Sequence, residues 1–368
     1  MTPPASGRAT RSWYNILMSR IVLAMSGGVD SSVAAALLVG QGHEVIGVFM
    51  RHGIEPAACE VPASGKQGCC SAADADDARR VADRLGIAFY AINFAAEFDR
   101  IVDYFVAEYA RGRTPNPCIA CNTWLKFGRL FDFADSVGAE LVATGHYARL
   151  LPGPALCRGV DGGKDQSYVL FGIDRRLLPR LALPVGEHRK NEIRRLAAEL
   201  GLRVAEKRDS QEICFVPDQD HARLVRERLP EDRSGEIVTT AGEVVGRHAG
   251  FEQYTIGQRK GLGVASTERR YVVRIEPERR LVVLGSRDEL ARSELTAARA
   301  NWLIEPPHAP FACQVKIRYR SAAVPAVVSP QGEDRFDVRF DAPCYGVAPG
   351  QAAVCYDGDR VLGGGWIE

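Results

Sequence analysis

A strand-length apolar run, Arg20-Ile21-Val22-Leu23-Ala24-Met25, passes directly into Ser26-Gly27-Gly28-Val29-Asp30-Ser31-Ser32 and then into the helical stretch Val33-Ala34-Ala35-Ala36-Leu37-Leu38. A buried strand, a turn whose glycines reach backbone angles closed to other residues, and an immediate helix together form the first unit of an α/β layer structure. Such a turn gathers backbone N–H groups at a helix start, where aligned peptide dipoles add partial positive charge. The hydroxyls of Ser26, Ser31 and Ser32 are placed to donate to the same anion, so the expected ligand is a pyrophosphate group. Asp30 would repel a bare phosphate, and its position makes sense if it holds Mg²⁺ against nucleotide oxygens.

The turn lacks the lysine of G-x-x-x-x-G-K-[ST] and the spacing of G-x-G-x-x-G. It resembles the SGGxDS loop of the ATP pyrophosphatases, which cut ATP between its α and β phosphates and place AMP on a substrate oxygen. An ordinary Gly-rich strand-to-helix turn is the plain alternative.

A chain of 368 residues exceeds the size at which one core keeps growing, so two or three domains are expected. The first half alternates β-rich and helical runs: strands at Ile21 to Met25, Glu44 to Met50, Ala88 to Phe94 and Leu141 to Thr144, with helices at Ser32 to Leu38, Ser71 to Leu85, Glu97 to Ala110 and Cys121 to Val137. Ser71 reads as the N-cap of the second helix. This pattern predicts a doubly wound parallel sheet with ligands at the carboxyl ends of its strands, where the Ser26 turn, Met50 and Gly145-His146 fall. From about Asp218 helical periodicity gives way to alternation, as in Tyr271-Val272-Val273-Arg274-Ile275 and Phe336-Asp337-Val338-Arg339-Phe340. The expected organisation is a flexible extension over 1–19, an α/β domain over 20–217, a small β-rich domain over 218–284 and a β-barrel-like domain over 285–368.

Lys and Arg total 47 against 46 Asp and Glu, so a nucleic-acid surface, if present, is a local patch rather than a property of the whole chain. No apolar stretch has the length of a membrane span, and the expected location is the cytoplasm. Ten cysteines in such a chain argue for reactive thiols, metal ligands or small core residues rather than a disulfide framework. Cys118 and Cys121 stand where Thr114-Pro115-Asn116-Pro117 enters a helix, a position that favours the thiolate. Zinc competes for a C-x-x-C, but adjacent Cys69 and Cys70 make a poor second pair. Cys157, Cys313, Cys344 and Cys355 lie in β-like runs and read as core. The basic, Gly-flanked Tyr254 to Gly263 segment is either a solvated turn or a loop that closes over phosphates.

From Arg20 to the C-terminus the ordered motifs are similar to those of the tRNA-specific 2-thiouridylases (tRNA-uridine 2-sulfurtransferases). They include the Ser26 loop, Thr114-Pro115-Asn116-Pro117, Cys121-Asn122, Ala143-Thr144-Gly145-His146-Tyr147, Lys164-Asp165-Gln166-Ser167-Tyr168, Ile213-Cys214-Phe215 and Ile256-Gly257-Gln258-Arg259-Lys260-Gly261-Leu262. The resemblance implies an adenine nucleotide alpha hydrolase-like fold and ATP-dependent thiolation of the wobble uridine of tRNAs for Lys, Glu and Gln, with ATP and Mg²⁺ as cofactors. It makes Cys121 the nucleophile and Cys214 the persulfide carrier, fed by a sulfur-relay protein or cysteine desulfurase, with a Cys121 to Cys214 disulfide closing the cycle. By the same resemblance Ala24, Met25, Ser26, Gly27, Gly28, Val29, Asp30, Ser31, Met50 and Gly145 bind ATP, and Asn116, Pro117 and position 118 hold the target base. His146, Lys164, Asp165, Gln166, Arg318, Tyr319 and Gln351 meet the tRNA, and the protein is a monomer. The family commonly carries Asp where this chain has Cys118. That departure opens an alternative in which Cys118, Cys121 and Cys214 hold a [4Fe-4S] cluster that delivers the sulfur. Two further alternatives are an ATP pyrophosphatase that adenylates a small molecule and a nucleic-acid-binding protein without catalysis.

Overall fold

The computed structural model describes residues 18–53, 72–207, 209, 213–216 and 220–368. The expected extension, apart from its last two residues, and Ser71, Cys69 and Cys70 lie outside the described residues. The first domain is built on a five-stranded parallel sheet in the order β3 (Ala88–Asn93), β2 (Glu44–Arg51), β1 (Arg20–Ala24), β4 (Leu141–Ala143) and the short Leu181–Ala182 strand. In β1, Ile21 pairs with Val45 on one side and Leu141 on the other. Side chains alternate between the two faces: Ile21 and Leu23 pack with Val33, Ala34 and Leu38, while Val22 and Ala24 pack with Leu130, Phe131 and Tyr168. Full burial of each large aliphatic side chain contributes about 1.5–3 kcal/mol. That holds the carboxyl ends of β1 and β4 side by side at the point where strand order reverses.

Helix α1 spans Val29–Gly40, α2 Ala72–Leu85 and α3 Ala95–Ala110. The single helix expected over Cys121 to Val137 is instead three segments: an α-helical turn at Pro117–Ala120, a wide-turn π-helical stretch at Cys121–Arg129, and an α-helix at Leu130–Ser136. Because i→i+5 bonding changes the angular step, Asn122, Leu125 and Phe127 all turn inward, a phase that 3.6-residue periodicity does not anticipate.

The middle domain has a four-stranded sheet ordered Tyr271–Glu276, Leu281–Gly285, Gly235–Thr239, Val244–His248. The C-terminal domain closes six strands into a barrel, since Ala291–Trp302 pairs with both Arg335–Tyr345 and Arg360–Ile367. Cys344 and Cys355 are buried in its core and Cys313 packs against it. Phe336 and Val315, fully shielded, anchor that core.

Sequence reasoning did not anticipate how these parts join. The hairpin Ala148–Leu151 and Ala155–Arg158 leaves the first domain and extends the barrel sheet, pairing Cys157 with Arg360. The segment ahead of Asn116 is clamped by the barrel: Thr114 N–H donates to the Pro349 carbonyl at 2.8 Å, Gln351 Nε2 to the Thr114 carbonyl at 2.8 Å, and Arg113 Nη2 to the Ile367 carbonyl at 3.0 Å. Arg318 joins the two β domains, its Nη2 donating to the Ile256 carbonyl at 2.7 Å and its Nε to the Gly346 carbonyl at 3.0 Å. Charged donors of this kind contribute about 1.5–3 kcal/mol each. An Arg318→Met variant is therefore expected to lose stability by about that amount, read as a lower urea midpoint at unchanged m-value.

Candidate active site

At the junction of the α/β domain and the barrel lies a cavity of about 2150 Å³. Its floor is the Ser26 loop. Gly27 adopts φ +70°, and a Cβ there would meet the Asp74 carbonyl at 2.1 Å. Gly145 sits so close to the loop that a Cβ would lie 2.8 Å from the Ser31 nitrogen. Two glycines thus let β4 and α2 pack against the turn. The first turn of α1 has Gly28 as its N-cap and no side-chain cap bond, which leaves its N–H groups for a ligand.

The three serines divide differently from the expectation. Ser26 is exposed, whereas Ser32 is fully buried and its hydroxyl donates to the Gly28 carbonyl at 2.8 Å. Ser31 Oγ likewise donates to Gly28 O at 3.2 Å and accepts the Ser26 N–H at 3.2 Å. These two hydroxyls shape the loop, and Ser26 is the one presented outward.

Asp30 also has a different partner from the expected Mg²⁺. Lys190 Nζ donates to both its oxygens, at 2.8 and 2.9 Å, and Tyr147 Oη donates at 2.6 Å. Lys190 starts the helix Lys190–Glu199 and bridges on to Asp209 at 2.9 Å, which Lys164 (2.7 Å) and Arg194 (2.7 Å) also hold. Burial pushes the Asp209 carboxyl up, but hydrogen bonds from Lys164 and Lys190 outweigh it and bring its pKa to about 2. Lys207 Nζ donates to Gly27 O (2.9 Å), Asp74 (2.6 Å) and Asp77 (2.7 Å), tying the loop to α2. With Asp30 committed to a cation and a phenol, its carboxylate does not fit the role of a resident magnesium ligand.

Of the residues expected at the site, Ala24, Met25, Ser26, Gly28, Val29, Asp30, Ser31, Met50 and Gly145 line the cavity. Asn116, Pro117, Cys118, His146, Lys164, Asp165, Gln166, Cys214 and Tyr319 line it as well. Gly27, Cys121, Arg318 and Gln351 are not on its wall. Arg318 and Gln351 serve the domain junctions described above, and the Tyr254 to Gly263 segment is also off the wall, contributing Tyr254, Ile256 and Leu262 to the middle-domain core. Asn116 accepts the Ile119 N–H as an N-cap. Cys118 is exposed on the wall. Cys121 and Cys214, both half-buried, pack against one hydrophobic cluster that includes Phe98, Phe105 and Phe215. Among the described residues no group of three His, Cys, Asp or Glu side chains is arranged to hold a metal, so Cys118, Cys121 and Cys214 do not fit the ligand set of an iron-sulfur cluster.

His146 is buried, with Nδ1 2.7 Å from the Thr144 hydroxyl. Burial, aided by the Lys126 charge, holds its pKa well below the usual imidazole value, so it is neutral near pH 7. Asp165 accepts the N–H groups of Gly159 (3.2 Å) and Ser167 (3.1 Å) and the Ser167 hydroxyl (3.0 Å). Gln166 and the Tyr147 backbone bond reciprocally at 2.9 and 2.8 Å. Sequence reasoning missed Lys190, Arg194, Lys207 and Asp209. Their partners lie up to 180 positions away, and no local motif signals them.

The family model described as "tRNA methyl transferase HUP domain" matches residues 19–218, the PRC-barrel domain model of the same group 222–286, and the "Aminomethyltransferase beta-barrel domain" 292–367. A protein from Rhodopirellula baltica named "tRNA-specific 2-thiouridylase MnmA" is 54% identical over 95% of this chain and 96% of its own length. The chain belongs to the MnmA family. Family members from Geobacter metallireducens and Carboxydothermus hydrogenoformans, with the same name, are 50% and 49% identical over 95% of this chain, covering 96% and 97% of their own lengths. Across this family-length match the α/β domain and both β domains are all represented. Among the described residues no helix is long and apolar enough to cross a membrane.

Two outcomes are expected. Lys190→Met leaves Asp30 and Asp209 without their shared cation and is expected to cost about 2–4 kcal/mol in urea unfolding, part of it recovered in the Lys190→Met, Asp30→Asn double variant. Asp209 has its folded pKa near 2, below the unfolded carboxylate value of about 3.9, so its stabilisation is present above the latter and is lost as pH falls through the former. The stability gap between wild type and Asp209→Asn is therefore expected to be full at pH 7 and to close between about pH 4 and pH 2.

Proposed function

We propose that the protein is a tRNA-uridine 2-sulfurtransferase that uses ATP to thiolate C2 of the wobble uridine. The observation that carries this reading is one cavity whose walls include both the Ser26 loop and the Cys118 and Cys214 segments. Nine Lys or Arg side chains against five Asp on that wall give it a local positive excess that the chain as a whole, at formal net charge +1, does not have. The names of the family relatives, given to proteins matched along nearly their whole length, support the same substrate.

In this reading ATP, with its own Mg²⁺, seats its phosphates on the free N–H groups of α1 and draws on Lys190, already poised beside Asp30. The uridine C2 oxygen attacks the α phosphorus and pyrophosphate leaves, which converts a poor leaving group into AMP. The terminal sulfur of a Cys214 persulfide then attacks C2, and AMP departs with the C2 oxygen. Cys121 thiolate attacks Cys214 Sγ, the sulfur–sulfur bond breaks toward the base, and 2-thiouridine is released while the two cysteines form a disulfide. External thiols reduce that disulfide. Asn116, Pro117 and Cys118 border the target base, which leaves a single-stranded loop at lower cost than it would leave a duplex. The persulfide comes from a relay protein or cysteine desulfurase. The working unit is a monomer in the cytoplasm, acting on tRNAs for Lys, Glu and Gln.

Unmodified tRNA incubated with protein, Mg²⁺-ATP and a persulfide donor is expected to yield 2-thiouridine and AMP together by nucleoside mass spectrometry. Cys214→Ser and Cys121→Ser are expected to bring thiolation to background while AMP formation on tRNA persists. AMP release that does not need tRNA would point instead to a small-molecule adenylating enzyme.

A further inference from the structure

Arg158 and Lys316 are among the cations on the barrel side of the cavity that have no part in the chemistry above. Arg158 ends the strand Ala155–Arg158 and lines the cavity, with its guanidinium carbon 4.3 Å from the Tyr356 ring centroid. Its Nε and Nη2 are shielded from water and have no hydrogen-bond acceptor among the described residues. Lys316 ends the strand Phe311–Lys316 and also lines the cavity, its Nζ 5.8 Å from the ring centroids of both Tyr168 and Tyr319. Burial lowers the Lys316 pKa and the neighbouring Arg158 charge lowers it further, while Asp165 opposes both.

Asp165 acts on Lys316 more strongly than Arg158 does, but among the described residues it bonds to neither cation: its oxygens accept from Gly159 and Ser167. Arg149, which also lines the cavity, is matched by Asp359 at 2.8 Å. Two like charges held side by side in a partly desolvated wall repel each other, and donors without acceptors forfeit their hydration. An anion between them relieves both costs. Aromatic faces behind the cations keep their side chains aimed along the wall. The position is also informative: Tyr319, against which Lys316 lies, lines the same cavity as Cys118.

We propose that Arg158 and Lys316 form an anion subsite that grips one backbone phosphodiester of the RNA strand beside the base entering the cavity. It rests on the tRNA reading for the identity of the strand, and it names contacts separate from the ATP loop. Held by charge rather than by base edges, a phosphodiester at this pair fixes register without reading sequence.

The test is binding of an unmodified anticodon stem-loop RNA, followed by fluorescence anisotropy across a salt series, for wild type, Arg158→Met, Lys316→Met, the double Met variant and Lys316→Arg. ATP binding, thiolation and thermal unfolding are measured in parallel. The double variant is expected to bind RNA about tenfold or more weakly, with the log–log salt slope flattened by about 0.7 for one lost phosphate contact. Lys316→Arg keeps most of the affinity, ATP binding is unchanged, and the melting temperature is unchanged or higher because mutual repulsion is removed. Unchanged RNA affinity and slope overturn the subsite, as does a loss confined to ATP or pyrophosphate binding, which would assign the pair to the nucleotide. A drop in melting temperature that Lys316→Arg does not rescue overturns it in favour of a structural role. If wild type binds RNA with the expected dependence on this pair yet forms no 2-thiouridine, the subsite stands and the thiolation reading falls. Thiolation with unaltered RNA binding in the double variant sinks the subsite alone.

Discussion

Lys190 is the interaction on which the site depends. Its side chain, only 11% exposed, places the ammonium between the Asp30 and Asp209 carboxylates and so joins the Ser26 turn to the segment that runs on toward Cys214. A cation placed there removes the repulsion that Asp30 would present to an incoming triphosphate. It also keeps a positive charge within reach of that triphosphate. The cost of desolvating three charges is offset because each is held by several hydrogen bonds: Asp30 by Lys190 and Tyr147, Asp209 by Lys164, Lys190 and Arg194.

Backbone proximity makes that network workable. Gly27 and Gly145 let the turn, α2 and the end of β4 approach to distances that a Cβ would forbid. Lys207 then ties the Gly27 carbonyl to the two carboxylates of α2; burial lowers its pKa, but the hydrogen bonds it donates to Asp74 and Asp77 outweigh that and raise it. The turn is consequently braced by α2, by the end of β4 and by Lys207, while the N-cap of α1 has no side-chain cap bond.

The barrel contributes more than a surface for a large substrate. By accepting the Ala148 to Arg158 hairpin as extra strands and clamping Thr114 through Gln351 and Pro349, it fixes one wall of the cavity relative to the sheet. Residues that resemblance assigns to tRNA contact, Arg318 and Gln351, spend their side-chain hydrogen bonds on these junctions. Through these bonds they place the segment that carries Asn116 and the junction of the two β domains.

The sequence by itself determined the parallel sheet, the Gly-rich turn at the end of its first strand, the β character of the later domains and the helix entry at Asn116. Each of these is written in local pattern: apolar runs at strand length, glycines at a turn, alternation, a Pro-Asn-Pro entry into a helix. Tertiary structure alone decided which charges meet. Lys190 and Asp30 are 160 positions apart, and Lys207 and Gly27 180, so no window of sequence contains both partners. It also decided that the helix after Cys121 takes wide turns, that Ser32 points inward, and that a hairpin of the first domain extends the barrel sheet. Those outcomes follow from close packing between elements distant in the chain, where hydrogen bonds and van der Waals contact override local preference.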